Sequence, residues 1–287
     1  MSKDQRSTLM LLITSIIWGI GFVAQRAGGY FMDPFTFNFV RFALGGFALV
    51  PVLFKLEQGK ISRTTAIAGL IGGTVVFIAV NLQQWGVIIT GSASKAGFIT
   101  GLYIIFVPIL GILIKRKAPK NVWVGAVLAA VGLYFLSAPG DQFNIDIGTV
   151  ILLICAFFWA VHILVIDRFI EGARPIGFSI MQCVAVSGLS FVAALIFGDI
   201  QPANILAGWL PVAYAAFVST GIAYTLQVVA QQHVPPGRSA VIFSSESIWA
   251  TTAEAILLGT FLSALGYVGG GLIVAGIIVA QLGRKMH

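Results

Sequence analysis

Charge is scarce in this sequence: Asp, Glu, Lys and Arg make up 9% of 287 residues. Soluble domains carry about 25%, so too little polar side chain is present to coat a water-soluble globule. Cysteine is nearly absent. Cys155 and Cys183 are the only two, and both fall inside long apolar stretches, which excludes a disulfide-stapled scaffold and reads them as small apolar fillers. There are three histidines. His162 has no second His, Cys or carboxylate at metal-ligand spacing, so it reads as an interior histidine with a hydrogen-bond partner rather than a ligand. No phosphate-binding loop, GxSxG elbow or GxGxxG fingerprint occurs, so nucleotide-driven and serine-hydrolase chemistry have no sequence basis and no cofactor is expected. Long polar segments are missing too: nothing between the apolar runs exceeds about a dozen residues, which leaves no room for a soluble domain.

What remains is apolar. Hydrophobic residues make up 58% of the chain, and they gather into ten stretches: 8–26, 34–54, 65–89, 94–114, 121–138, 147–166, 176–198, 208–231, 238–260 and 263–282. A bilayer core about 30 Å thick needs about 20 apolar residues of helix to cross it. The expectation is an all-α polytopic membrane protein of ten transmembrane helices. The first stretch is long for a signal core, and Gln25-Arg26 stands where a small-residue cleavage site belongs.

The net charge of +7 is distributed by side, which argues against nucleic acid as a partner. With the amino terminus inside, 14 of the 17 Lys and Arg residues flank the spans on the cytoplasmic side. They include Lys115, Arg116, Lys117 and Lys120 in one loop, and Arg284 and Lys285 at the carboxy terminus. Only Arg26 and Lys95 face outward, and Arg41 lies within a span. This positive-inside bias predicts both termini in the cytoplasm, with the 115–120 loop against anionic lipid.

The second half echoes the first. Trp18 and Trp159, then Pro34 and Pro175, are 141 residues apart. Further along the offset is 144: Leu82-Gln83 with Leu226-Gln227, Ala96 with Ala240, Trp123 with Tyr267, Gly125 with Gly269, and Gly132 with Gly276. The repeats are 1–140 and 141–287. Five spans is an odd number, so the second repeat enters the membrane from the opposite side. Inverted repeats of this kind give transporters two mirror-related arrangements around a site near the midplane. Duplication kept for folding alone is the plainer alternative.

The order and spacing of several segments resemble the drug/metabolite transporter superfamily, in its ten-helix EamA-type branch. The segments are Trp18-Gly19 with Phe22, Pro34 through Arg41 (PFTFNFVR), Gly97 through Pro108 (GFITGLYIIFVP), and the ninth-span stretch from Ser245-Glu246. The resemblance spans essentially the whole chain. It implies export or exchange of small polar metabolites through a central cavity between the halves, with Trp18, Tyr103 and Tyr224 among the candidate substrate-binding residues. One departure stands out. The family often has Glu-Pro in the ninth span, and here Glu246 is followed by Ser247, so no proline kink is supplied.

Ionisable side chains inside a span are costly and face an interior or a cavity. Arg41, Glu246 and Glu254 qualify. Depth along the spans matches Arg41 with Glu254 as an ion pair or gate, and Arg41 is alternatively an anchor for a substrate carboxylate. Glu246 has no basic residue at its depth, which makes it a candidate proton or substrate carrier, or else an acid bonded to Ser244 or Ser245. In the third span Asn81, Gln84 and Trp85 share a helical face, with Gln227 as the repeat counterpart of Gln83; amides there suit zwitterion binding or plain interhelical bonding. Gly69/Gly73, Gly97/Gly101 and Gly266/Gly270 are close-packing pairs.

These readings converge on a secondary transporter, an exporter of small metabolites working by alternating access in the cell membrane. Its partners are a small-molecule substrate and the bilayer, with proton coupling open; no oligomeric state is implied. The alternatives are a membrane-embedded enzyme on lipid-linked substrates, which would need more intramembrane acids than Glu246 and Glu254, and a non-transporting assembly subunit.

Overall fold

A computed structural model describes residues 1–115, 117–137, 146–259 and 263–282. Among the described residues nine helices are long and apolar enough to cross a membrane: Lys3–Gly28, Pro34–Glu57, Arg63–Thr90, Ala93–Leu113, Ile147–Phe169, Pro175–Phe197, Trp209–Gln231, Pro236–Leu258 and Ala264–Leu282; Lys120–Ser137, a shorter apolar helix, stands where the fifth of ten spans is expected. They coincide with the ten expected stretches, and no strand occurs among the described residues. Arg116, Arg284, Lys285, Thr260 and the 140/141 repeat boundary lie outside the described residues.

Local sequence sets the ends. Asp33 caps the second span through Phe35 N and Thr36 N at 2.9 and 3.1 Å, with Pro34 in the first turn, where a missing N–H costs nothing. Ser2, Ser62, Ser92 and Asp146 cap the first, third, fourth and sixth spans in the same way, satisfying orphan N–H groups. Gly91 and Gly259 close the third and ninth spans at φ +62° and +65°, a left-handed geometry that glycine adopts without strain.

Two spans break. The fourth is interrupted at Leu102 and the ninth at Ser244-Ser245, near repeat-equivalent positions. The ninth breaks without a proline: the Ser244 and Ser245 hydroxyls donate to Val241 O and Ile242 O at 2.7 and 2.8 Å. Serine side chains thus take over carbonyls that the helix would otherwise use.

The packing carries a pseudo-twofold axis. A Cβ built on Gly125 would lie 2.6 Å from Gly276 O, and one on Gly132 would lie 2.6 Å from Gly269 O. Gly125 is the repeat equivalent of Gly269, and Gly132 of Gly276, so the two contacts exchange under the repeat. The fifth and tenth spans therefore meet backbone to backbone, which is how helices associate where lipid removes the hydrophobic drive. Gly69 and Gly73 do the same against Phe178 O and Gln182 O of the seventh span at 2.7 and 2.6 Å. Gly97 meets Ala250 Cβ of the ninth span at 3.0 Å. The expected Gly266/Gly270 pair is corrected: Gly270 faces open space, and the buried face of the tenth span carries Gly266, Gly269 and Gly276 instead.

Candidate functional site

On the pseudo-twofold axis the repeat-equivalent Trp18 and Trp159 pack with ring centroids 5.9 Å apart. Tyr224 closes on both, at 5.1 and 6.0 Å, and Phe243 on Trp18 at 5.2 Å. Between these rings lies an enclosed cavity of about 30 Å³. That is room for one or two waters, far below the roughly 300 Å³ at which small-molecule pockets begin.

The polar walls come from several spans. Gln25 comes from the first, Arg41 from the second, Gln83 from the third, Thr100 and Tyr103 from the fourth, Gln227 from the eighth and Glu246 from the ninth. Trp159 adds the sixth. Arg41 is 2% exposed and lies over the Phe37 and Phe42 rings at 5.5 and 4.9 Å, an arrangement that offsets part of a buried cation's cost. Arg41 Nε has no hydrogen-bond partner among the described residues. Glu246 is 3% exposed and accepts from Tyr103 Oη at 2.9 Å, not from Ser244 or Ser245. The cavity therefore holds a buried guanidinium and a buried carboxyl group that form no ion pair with each other.

Of the expected substrate-binding residues, Trp18, Tyr103, Tyr224, Gln227 and Glu246 line this cavity. Asn81, Gln84 and Trp85 do not. Asn81 accepts from Asn38 Nδ2 at 2.9 Å and donates to Phe77 O at 2.7 Å, tying the second span to the third. Gln84 Nε2 donates to Gln25 O at 2.8 Å. Trp85 is 44% exposed and packs near Phe35. The inward residue of that string is Gln83, whose Oε1 accepts from Trp159 Nε1 at 2.7 Å. The repeat itself carries the signal for it, since Gln83 is the counterpart of Gln227 and Trp159 of Trp18. His162 bonds Gln182 Oε1 through Nε2 at 2.8 Å, and both cysteines are free and buried.

The pairing of Arg41 with Glu254 is corrected. Glu254 pairs with Arg26, Nη1 to Oε1, at 2.8 Å. The same carboxylate accepts from Ser92 Oγ at 2.9 Å, Ala93 N at 3.0 Å and Ser94 N at 2.7 Å. It sits on the N-terminus of the fourth span, where free N–H groups and the helix dipole favour an anion. Arg41 lies deeper, at the cavity. This cluster closes the end of the bundle opposite the amino-terminal face.

At the amino-terminal face the bundle is open. Arg238 Nη1 reaches Asp4 Oδ1 at 3.1 Å, and beside it lies a vestibule of about 450 Å³ lined by Val107, Leu164, Gln231, His233 and Arg238 among others. Val107 lies one turn from Tyr103, and Leu164 is next to the cavity residue Ile163. The fourth and sixth spans thus contribute residues to both the vestibule and the central cavity.

The sequence pattern of the EamA-like transporter family matches residues 5–138 and, separately, 146–281. The chain belongs to that family. Among similar proteins of this family, an uncharacterized transporter of Archaeoglobus fulgidus is 30% identical over 284 residues, 98% of this chain and 87% of that protein. The threonine/homoserine exporter RhtA of Salmonella typhimurium is 31% identical over 180 residues, 60% of this chain and 56% of RhtA. A crystal structure that superposes with a TM-score of 0.78 over 96% of each chain, at 19% identity, shares the fold. This EamA-like chain is a multi-pass membrane protein and a secondary transporter of small metabolites, built from two inverted five-helix repeats.

Proposed function

We propose that this chain exports zwitterionic, amino-acid-like metabolites from the cytoplasm across the inner membrane. Arg41 receives the carboxylate and Glu246 the ammonium. The observation that carries this reading is a guanidinium and a carboxyl group buried in one cavity without pairing with each other. A buried charge left alone is costly unless a partner arrives, and a zwitterion supplies both partners at once. The relative named as a threonine/homoserine exporter supports the same class.

The amino-terminal face is cytoplasmic in this reading, supported by the Lys and Arg bias of its loops. Substrate enters from the vestibule while the Glu254 cluster holds the outer end shut. Rocking of the two repeats about the axis then opens the outer path. With no nucleotide motif in the sequence, the energy comes from a gradient. Glu246 fits that role, because a carboxylate whose hydrogen-bond partner is Tyr103 holds either a substrate ammonium or a proton, and the two compete. Proton entry after substrate release would reset the carrier.

The test is uptake and counterflow of labelled amino acids in proteoliposomes with and without a pH gradient. The reading expects flux above protein-free vesicles, accelerated when the substrate-trans side is acidic. Flux of neither threonine nor any of the other common amino acids under either condition would remove it.

A further inference from the structure

The two repeat-equivalent indole–amide pairs are not in the same state. In one, Trp159 Nε1 donates to Gln83 Oε1 at 2.7 Å. In the other, Trp18 Nε1 reaches Ser219 O at 3.4 Å, and Gln227 is left over. Gln227 is fully buried at 0% exposure and lines the cavity, yet neither its Oε1 nor its Nε2 finds a partner among the described residues. A buried amide with neither end bonded to protein is uncommon, and the small cavity beside it replaces little of its hydration.

The backbone explains the difference. Tyr214–Tyr224, just before Gln227, is a π-helical stretch of 11 residues. Its repeat counterpart, residues 70–80, lies within the regular α-helix Arg63–Thr90. A π-helix carries more residues per turn than an α-helix, so it rotates every residue beyond it about the axis. Such segments are uncommon and concentrate where a helix must change. The tighter winding of the third span aims Gln83 at Trp159. Beyond the wider winding of the eighth, Gln227 makes no bond to Trp18, whose indole settles on the π-helical Ser219 carbonyl.

Inverted repeats give two access states by exchanging the conformations of their halves. We propose that Trp18 and Gln227 form, in the outward-open state, the hydrogen bond that Trp159 and Gln83 form here. The eighth span then rewinds toward α-geometry, and the two indole–amide pairs act as alternating latches. This rests on the alternating-access reading above. The unpaired Gln227 raises the energy of the present state, the Trp159–Gln83 bond lowers it, and the balance reverses in the other.

Opposite signs test it. Spin labels on Tyr30→Cys and Leu258→Cys report the outer end, and labels on Leu113→Cys and Gln232→Cys the inner end, in the full chain in nanodiscs. All four positions are exposed, whereas the native Cys155 and Cys183 are buried and stay in place. Gln83→Leu removes the latch of the present state and is expected to raise the outward-open population. Gln227→Leu removes the latch of the other state and is expected to lower it. An average interhelical hydrogen bond in a membrane corresponds to roughly threefold in each direction. Trp159→Phe removes the donor of the present latch and repeats the first sign, and Gln227→Met repeats the second, should a leucine variant fail to fold; Trp18→Phe removes a donor from both states, here the bond to Ser219 O, and is left out. Thermal midpoints give a second readout: Gln83→Leu strands Trp159 Nε1 and lowers the midpoint, while Gln227→Leu deletes two unpaired polar atoms and leaves it equal or higher. Shifts of the same sign, or none, overturn the latch while two distances in the unsubstituted chain keep alternating access standing. A single distance at both ends under every condition overturns both.

Discussion

Arg26 Nη1 lies 2.8 Å from Glu254 Oε1, joining the first and ninth spans at the end opposite the amino-terminal face. The carboxylate also holds Ser92, Ala93 and Ser94, so the two partners are unequal. Glu254→Leu strips every one of these donors and is expected to cost about 3 kcal/mol, the low end for breaking a buried charge cluster. Arg26→Leu leaves the carboxylate its other donors and is expected to cost about 1 kcal/mol. A double-mutant cycle on thermal stability in detergent reads the coupling. Strictly additive losses would mean that the pair does not act as a clasp.

The glycine seam between the fifth and tenth spans gives a steric prediction. With a Cβ on Gly132 only 2.6 Å from Gly269 O, Gly132→Val forces backbones apart and is expected to destabilise by about 2 kcal/mol or more. Gly188→Ala and Gly270→Ala, at helical positions with nothing within 4 Å, are expected to leave the midpoint equal or higher. Equal midpoints for all three variants would contradict the seam.

Ten spans and their pairing into repeats were legible in the sequence because bilayer thickness and duplication both leave long-period signals. The facing of individual residues was not. Gln83 and Gln84 are neighbours in one polar string, and only the rotation of the third span about its own axis decides that Gln83 meets Trp159 while Gln84 turns to Gln25. The π-helical stretch of the eighth span has no signature in its Ala- and Gly-containing sequence. Depth counting paired Arg41 with Glu254 because it treats helices as upright rods. In the folded bundle Glu254 is drawn instead to the fourth span's exposed N–H groups, with Arg26 beside it.

Just outside the sixth span, pH acts on Asp146, which pairs with Lys95 in the first turn of the fourth. The Lys95 ammonium at 2.8 Å, together with the Thr149 N–H, holds the Asp146 carboxyl at about 2, below its ordinary 3.8. A lowered carboxyl stabilises the fold above the unfolded value and loses that contribution as pH falls through the folded one. Both side chains are partly exposed, at 28% and 38%, so the pair is worth about 0.5–1 kcal/mol at most. The stability difference between the unsubstituted chain and Asp146→Asn is expected to be constant above about pH 5 and to vanish toward pH 2. A difference that grows on acidification would contradict the assignment.

The site residues separate from their neighbours in transport. Trp85→Ala is expected to change flux by less than about twofold, because Trp85 is 44% exposed and outside the cavity. Tyr103→Phe, which removes the donor to Glu246, is expected to slow flux several-fold, on the order of one charge-assisted hydrogen bond, and to shift its pH dependence. Equal effects from both variants would place the substrate elsewhere.

The most direct measurement of the central claim is counterflow of labelled threonine in proteoliposomes, comparing the unsubstituted chain with Arg41→Gln and Glu246→Gln, each reconstituted to equal protein content. If Arg41 and Glu246 hold the two ends of a zwitterion, each variant loses about tenfold or more, the worth of one charge-assisted contact. An excess of the decarboxylated amine or the deaminated acid should then compete poorly with threonine. Counterflow that survives both substitutions, or an amine and an acid that each compete as well as the amino acid, would contradict the account.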